Sequence, residues 1–411
     1  MQYLIRHIKL RWTKQISVLL LLVLCAIACV EPFEDSDFEE RFEDVLVVSS
    51  TITNELKHQE VILTRSFRFD EEQAGTEENA NVWIADDQGN EYYFEEDTPG
   101  KYLSVQPFNA TMGRKYVLNV STQNGDSYSS DEMELPVANT SIDEVYAERI
   151  TTDNNEDGVS IFVDTFDPSG NSRYYRHEFV ETFKIIAPYW SPYDAVVISE
   201  GISSFDIAAI LREQEERICY GENTSKSVLV ASTAGLSEDR LDQYQVRFIN
   251  RDNYILSYRY SVLVRQYAVS KEAFSYYEAL SGLSQDADNV FSEDQPGFLP
   301  GNIRSITNPK ENVVGYFDVA AADEKRIFFN YTDFFPGEEL PSYAVDCVLS
   351  APLTEGSLGE RELLNLIYDD VLRFYDFNFG TMPGGPFIMV RKECGDCTTL
   401  GSNDVPEFWI E

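Results

Sequence analysis

Four groups of residues could carry chemistry, and the first is a single thiol. Cys29 closes the run Leu24-Cys25-Ala26-Ile27-Ala28-Cys29. Arg6, Lys9, Arg11 and Lys14 precede an apolar stretch from Ile16 to Ile27, which has the layout of a secretory signal. The apolar stretch is short for a transmembrane helix. A small residue followed directly by cysteine is what lipoprotein processing needs, since the thiol takes the lipid and becomes the mature N-terminus. Cys25 suits this less, because bulky Leu24 precedes it. The expected modification is a diacylglyceryl group with fatty acyl chains such as palmitate on Cys29. It places the protein outside the cytoplasm, held to a membrane by its lipid.

The second group is Cys219, Cys347, Cys394 and Cys397. An even number of cysteines in an exported chain predicts disulfides. Zinc or redox chemistry at Cys394-Gly395-Asp396-Cys397 is the alternative, but no thioredoxin-like βαβ pattern surrounds it. Four cysteines allow three pairings, and the reading favours Cys347 with one of the C-x-x-C pair. The third group is Asp153, Asn155, Asp157 and Asp164, whose spacing approaches a calcium loop. Ile161 at the ninth position cannot ligate, and the flanks read as strands, so a solvated hairpin turn is favoured. The fourth is Tyr189, Trp190 and Tyr193, set between prolines in Ala187-Pro188-Tyr189-Trp190-Ser191-Pro192-Tyr193. Loop aromatics bury much area at low entropic cost and make a binding-loop candidate. No catalytic residue, metal or cofactor is expected. Outside the leader the only histidines are His58 and His177, and there is no G-x-S-x-G, H-E-x-x-H or phosphate-loop motif.

Composition bounds the partners. The chain has 411 residues, 32 basic and 71 acidic, for a net charge of −39. Every charge in the leader is basic, so the remainder is more acidic still. Nucleic acid and anionic head groups are excluded as partners by long-range repulsion. Apolar content of 43% and aromatic content of 13% supply ample core material.

The elements that must position these residues are mainly strands. After a signal peptide over 1–28, residues 29–44 read as an acidic flexible stalk. Short alternating runs with Gly, Asn and Asp turns follow, such as Ala80–Ile84, Glu91–Phe94 and Gly113–Val120. They predict a β-sandwich over 45–137. Residues 141–411 read as a larger β-sandwich-like domain with helical insertions near 204–217 and 270–283. Ser270 is the expected N-cap of the second helix. Residues 331–411 read as an irregular tail that docks on this core.

Several segments together resemble the domain-of-unknown-function family 4249 of outer-membrane lipoproteins. They are Asp167-Pro168-Ser169-Gly170-Asn171-Ser172-Arg173-Tyr174-Tyr175-Arg176 with Glu178 and Thr182 beyond it, Arg259 to Ala268 (RYSVLVRQYA), Gly301-Asn302-Ile303, Gly315-Tyr316-Phe317, Glu324-Lys325-Arg326, and the tail from Cys394 to Trp409. Thr398 stands where the family tail has a basic residue. The resemblance implies an N-terminal domain similar to Ig-like, transthyretin-like or carboxypeptidase-regulatory sandwiches. It also implies a TonB-dependent outer-membrane transporter as neighbour, and so an accessory, substrate-capturing role at the outer membrane, with the ligand unidentified. An acidic run behind the lipidated cysteine resembles a surface-export signal, which implies the outer face. An envelope scaffold or adhesion module, and a hydrolase built on paired carboxylates, are the alternative functions.

Overall fold

Strand content of 48% against 10% helix makes the fold mainly β. The computed structural model describes residues 44–66, 75–137, 141–201, 205–286, 299–354 and 361–411. The signal peptide, Cys29 and nearly all of the stalk lie outside the described residues. Residues 46–64 and 76–411 make one compact unit. In the other, residues 1–45 and 65–75, the amide of Arg65 bonds Gly75 O and that of Ser66 bonds Val45 O.

The first region is a run of short alternating strands whose order in the sheet is not sequential. They are β1 (Leu46–Thr53), β2 (Glu60–Arg65), β3 (Asn81–Asp86), β4 (Glu91–Thr98), β5 (Lys101–Ser104), β6 (Lys115–Ser121), β7 (Ser127–Ser130) and β8 (Met133–Glu134). Their inward residues alternate with half-exposed ones, as in β6, where Tyr116, Leu118 and Val120 are buried. Leu46, Val61, Ile84, Phe94, Tyr102, Leu118 and Tyr128 share one core, so the sheet curls over itself.

The second region contains β9 (Ile142–Thr151), β10 (Asp157–Phe166), β11 (Tyr174–Ile186), β12 (Tyr193–Glu200), β13 (Phe205–Leu211), β14 (Ile218–Thr224), β15 (Leu229–Ser232), β16 (Arg240–Asn250) and β17 (Arg259–Ala268). Helix α1 (Lys271–Asp286), β18 (Ile303–Ser305) and β19 (Val314–Asn330) follow. The sheet β16-β10-β9 covers one face of β14-β11-β17-β19. Val159, Ile161 and Val163 pack there with Phe179, Phe183, Tyr260, Val262 and Val264. Ser270 caps α1 by accepting the Ala273 amide at 3.0 Å.

The long strand β19 joins the two regions. Its first half runs parallel to β1, with Val48 opposite Gly315 and Thr51 opposite Asp318. Its second half runs antiparallel to β17, with Ala322 opposite Tyr267. Strand β18 pairs with β7. Residues 303–320 therefore complete the N-terminal sheet, and one hydrogen-bonded order runs from β14 through β19 to β18.

The expected helix near 204–217 is corrected. Phe205–Leu211 is strand β13, antiparallel to β12. Good helix formers such as Ala208, Ala209 and Leu211 set only a weak preference, and tertiary packing overrides it. In the strand Ile207 and Ala209 turn inward with Ala195 onto Leu363, Phe374 and Met389. Ile210 and Leu211 stay exposed. Helix α2 (Glu362–Tyr368) and the hairpin of β20 (Leu372–Phe377) with β21 (Phe387–Arg391) complete this small lobe.

Two disulfides tie the C-terminal segment down, Cys219–Cys397 and Cys347–Cys394. The second joins Cys347 to a member of the C-x-x-C pair. Beyond them Trp409 packs edge-on against Tyr220 and Phe328, and Arg326 lies over the Phe408 ring at 3.5 Å.

Candidate functional site

Strand periodicity puts Arg176 and Glu178 on one face of β11, and Arg265 and Tyr267 on one face of β17. Register then makes them a square: Arg176 stands opposite Tyr267, and Glu178 opposite Arg265. This face points away from the β16-β10-β9 layer, toward α1 and β1. Arg176 Nη1 donates to Glu178 Oε1, and Nη2 donates to Thr51 Oγ1 on β1 at 3.1 Å. The Tyr267 hydroxyl donates to Glu178 Oε2 at 3.0 Å. The guanidinium lies 4.2 Å from the Tyr267 ring centre and 4.7 Å from that of Tyr277 on α1. Burial works against its charge, but Tyr277, Glu178, Tyr267 and Asp318 outweigh burial and hold it protonated.

Two cavities open against this square. One, about 450 Å³, lies along β1 and β2 and is lined by Lys57, His58, Gln59 and Glu60 together with Arg176, Glu178, Arg265 and Tyr267. The other, about 240 Å³, reaches Thr224, Ser225, Lys226 and Ser227. Arg176, Glu178 and Tyr277 line both. Around the rim Lys57 pairs with Glu55 at 2.6 Å, Lys101 with Glu60 at 2.7 Å, and Arg265 Nε donates to Glu324 at 3.0 Å. The His58 Nδ1 is held by Ser104 O.

Two buried carboxylates of the second region show what satisfied polar clusters look like here. Glu181, on the same strand, is buried and fully engaged by Arg247 at 3.0 Å, Tyr260 at 2.6 Å and Asn223 at 3.0 Å. Asp167 accepts from the amides and hydroxyls of Ser169 and Ser172. Burial alone would raise its pKa, but these bonds bring it down to about 2. Both clusters are satisfied and organise the backbone. By contrast Arg176 Nε and Asp318 Oδ2 are buried with no partner among the described residues, as are several buried polar atoms elsewhere, such as Ser160 Oγ and Asp239 Oδ2.

Burial raises the Asp318 carboxyl to about 6, against partial relief from Arg176 and the Val319 amide. Across β11, burial lowers His177 to about 4, against partial relief from the Gln266 bond at 3.0 Å. The two act in opposite senses on stability. The folded state holds a proton on Asp318 that the unfolded chain releases between about pH 4 and 6, so this group makes stability fall as pH rises through that window. The folded state keeps His177 neutral where the unfolded chain protonates it, so this group makes stability fall as pH drops from 6.5 to about 4. Denaturant titrations at a series of pH values should show Asp318→Asn losing stability on acidification from pH 6 to 4 more steeply than the wild type. An unchanged slope would refute the assignment.

The remaining sequence candidates lie elsewhere. Tyr189 is half-buried, edge-on to Tyr375 at 5.1 Å, with its amide on Cys394 O at 3.0 Å. Trp190 packs on the second core, and Tyr193 begins β12 with 43% exposure. None of the three lines either seam cavity. Asn155 occupies the β9–β10 turn with φ of 62°. Asp157 is held there by Arg149, while Asp164 sits far along β10 and accepts the Gln243 amide. The structure does not gather the four as a calcium loop, and among the described residues no three His, Cys, Asp or Glu side chains form a metal-binding group. Cys219 lies at the outer edge of the β11–β14 pair.

Sequence reasoning did not single out the square as a site. Its only trace is Arg-x-Glu in one strand and Arg-x-Tyr in another, 89 residues apart between Glu178 and Tyr267. Alternation puts each pair on one face, but nothing local says that the two faces meet.

The architecture is thus a mainly β protein whose two sheet regions share one strand, with one cavity lined from both regions beside the join. The chain matches the family described as Domain of unknown function (DUF4249) over residues 30–326 and belongs to it. Comparison with curated proteins gives no match.

Proposed function

We propose that the chain is a non-enzymatic, lipid-anchored lipoprotein of the outer membrane, exposed at the surface, that captures a small ligand for a TonB-dependent transporter. The observation that carries the capture role is the cavity of about 450 Å³ beside β1, β11 and β17, walled by hydrogen-bonding side chains and built around one immobilised arginine, which it shares with the smaller cavity between β11 and residues 224–228. Clefts between structural units, apolar in part and with a few convergent polar groups, are favoured ligand sites. The anchor reading rests on Cys29 and the leader before it. The transporter reading rests on the family resemblance.

Two measurements test these parts separately. Cells fed labelled palmitate should incorporate it into the wild-type chain, and Cys29→Ala should abolish both label and membrane retention. A labelled Cys29→Ala chain would remove the anchor. Affinity purification from crosslinked membranes should recover a β-barrel transporter, and recovery of the chain alone would remove that partnership.

A further inference from the structure

We propose that the larger seam cavity binds its ligand through a carboxylate, with Arg176 as the anchor and Glu178 as a resident counter-ion that the ligand displaces. This rests on the capture reading and adds the chemical class of the ligand.

Charge is the first argument. The chain carries 71 acidic and 32 basic residues, yet the cavity walls reverse that balance. The larger cavity is lined by three basic side chains, Lys57, Arg176 and Arg265, against two acidic ones, Glu60 and Glu178, while Glu55 and Glu324 pair with Lys57 and Arg265 at its rim. A lining with a basic excess in so acidic a chain favours an anion over a cation.

Geometry is the second. Arg176 is stacked between two tyrosine rings and fixed at Nη2 by Thr51. Its planar fork is therefore held in one orientation before any ligand arrives, which lowers the ordering cost of binding. Its Nε–H has no acceptor among the described residues.

Exchangeability is the third. Within the Arg176–Glu178 pair the arginine side chain is 10% exposed and the glutamate 44%. The carboxylate is the half that water can receive. When it swings out, the Tyr267 hydroxyl that now donates to it is freed for the incoming anion. Arginine recognises a planar carboxylate through two parallel N–H···O bonds, so the ligand substitutes for Glu178 group for group. A volume of about 450 Å³ suits a monosaccharide or a short peptide. The carboxylate can thus come from a uronic acid or from a peptide C-terminus.

The test is calorimetric titration of the full chain in detergent with four probes: trialanine, trialanine amide, galacturonate and its methyl ester. One acid should bind, with its neutral counterpart at least tenfold weaker, and the acid that binds identifies the source. Arg176→Gln should weaken binding at least tenfold. Glu178→Gln, which keeps an amide able to accept from Arg176 and Tyr267 at this half-exposed position, should tighten it severalfold by removing the competing charge. Equal binding of acid and neutral forms, no binding of any probe, or weaker binding by Glu178→Gln would each overturn the proposal. Should Arg176→Gln fail to fold, Glu178→Gln still decides. Co-purification with a transporter alongside any of these negative results would sink the carboxylate inference and leave the partnership standing.

Discussion

Gly315→Ala is expected to uncouple the two sheet regions and to cost more than about 4 kcal/mol, at the extreme of single-substitution effects. Gly315 has φ of +113°, which an L side chain rarely adopts. A Cβ there would also lie 1.8 Å from Val48 O on β1. Neither atom can yield, because Val48 and Gly315 are register partners in the parallel β1–β19 pair. A second glycine is stacked behind the first, since a Cβ on Gly301 would meet Gly315 O at 1.5 Å. Asn302 completes the arrangement. Its side chain donates to Phe317 O at 2.8 Å and accepts the Phe317 amide at 2.9 Å, standing in for a strand neighbour. These contacts give Gly301-Asn302-Ile303 and Gly315-Tyr316-Phe317 one shared purpose, the close docking of β19. Hydrogen exchange should show the amides of Leu46–Thr53 losing protection in the variant. Gly89→Ala is the control: φ is +84° but the space around it is open, so it should cost about 1 kcal/mol. Equal losses in the two variants would refute the steric argument.

The second large effect concerns the Cys219–Cys397 disulfide. Replacing both cysteines with alanine should lower stability by about 3–5 kcal/mol, because the bridge closes a long loop and restricts the unfolded chain. The bridged residues are 178 apart in sequence. Both are fully buried in the second core. The bridge also holds the C-terminal segment on the edge strand β14. Tyr220 and Ser402 exchange backbone bonds of 2.8 and 3.0 Å beside it, and Cys397 N bonds Glu216 O at 2.9 Å. The double variant should therefore release the tail first. Limited proteolysis should cut between Cys397 and Glu411, and the fluorescence of Trp409 should report loss of its packing on Tyr220 and Phe328. Removing Cys347–Cys394, which spans 47 residues, should cost less by the same chain-entropy reasoning. A tail that stays protease-resistant without Cys219–Cys397 would show that packing alone retains it.

The placement of the groups around Arg176 follows from pairing geometry that no single segment encodes. Within β11 the odd positions Phe179 and Phe183 enter the second core while Arg176 and Glu178 face the other way. That much is legible, because strand side chains alternate with period two. The partner face is not, since Arg265 and Tyr267 are brought opposite by β17 and Thr51 arrives from the first strand of the protein. The same limit explains the error at Phe205–Leu211. Its helical preference was a fraction of a kcal/mol per residue. Ladder hydrogen bonds with Tyr193–Glu200 and the packing of Ile207 on the small lobe outweighed it.

By itself the sequence determined the mainly β class, the even cysteine set and the capped helix after Ser270, because each depends on local alternation, counting or neighbouring residues, and its motifs carried the family resemblance. Only the tertiary structure decided which cysteines meet, how β19 serves two sheets at once, and that an arginine, a glutamate and two tyrosines from three elements enclose one cavity. Those outcomes are set by register and long-range packing, whose energies arise between segments far apart in the chain.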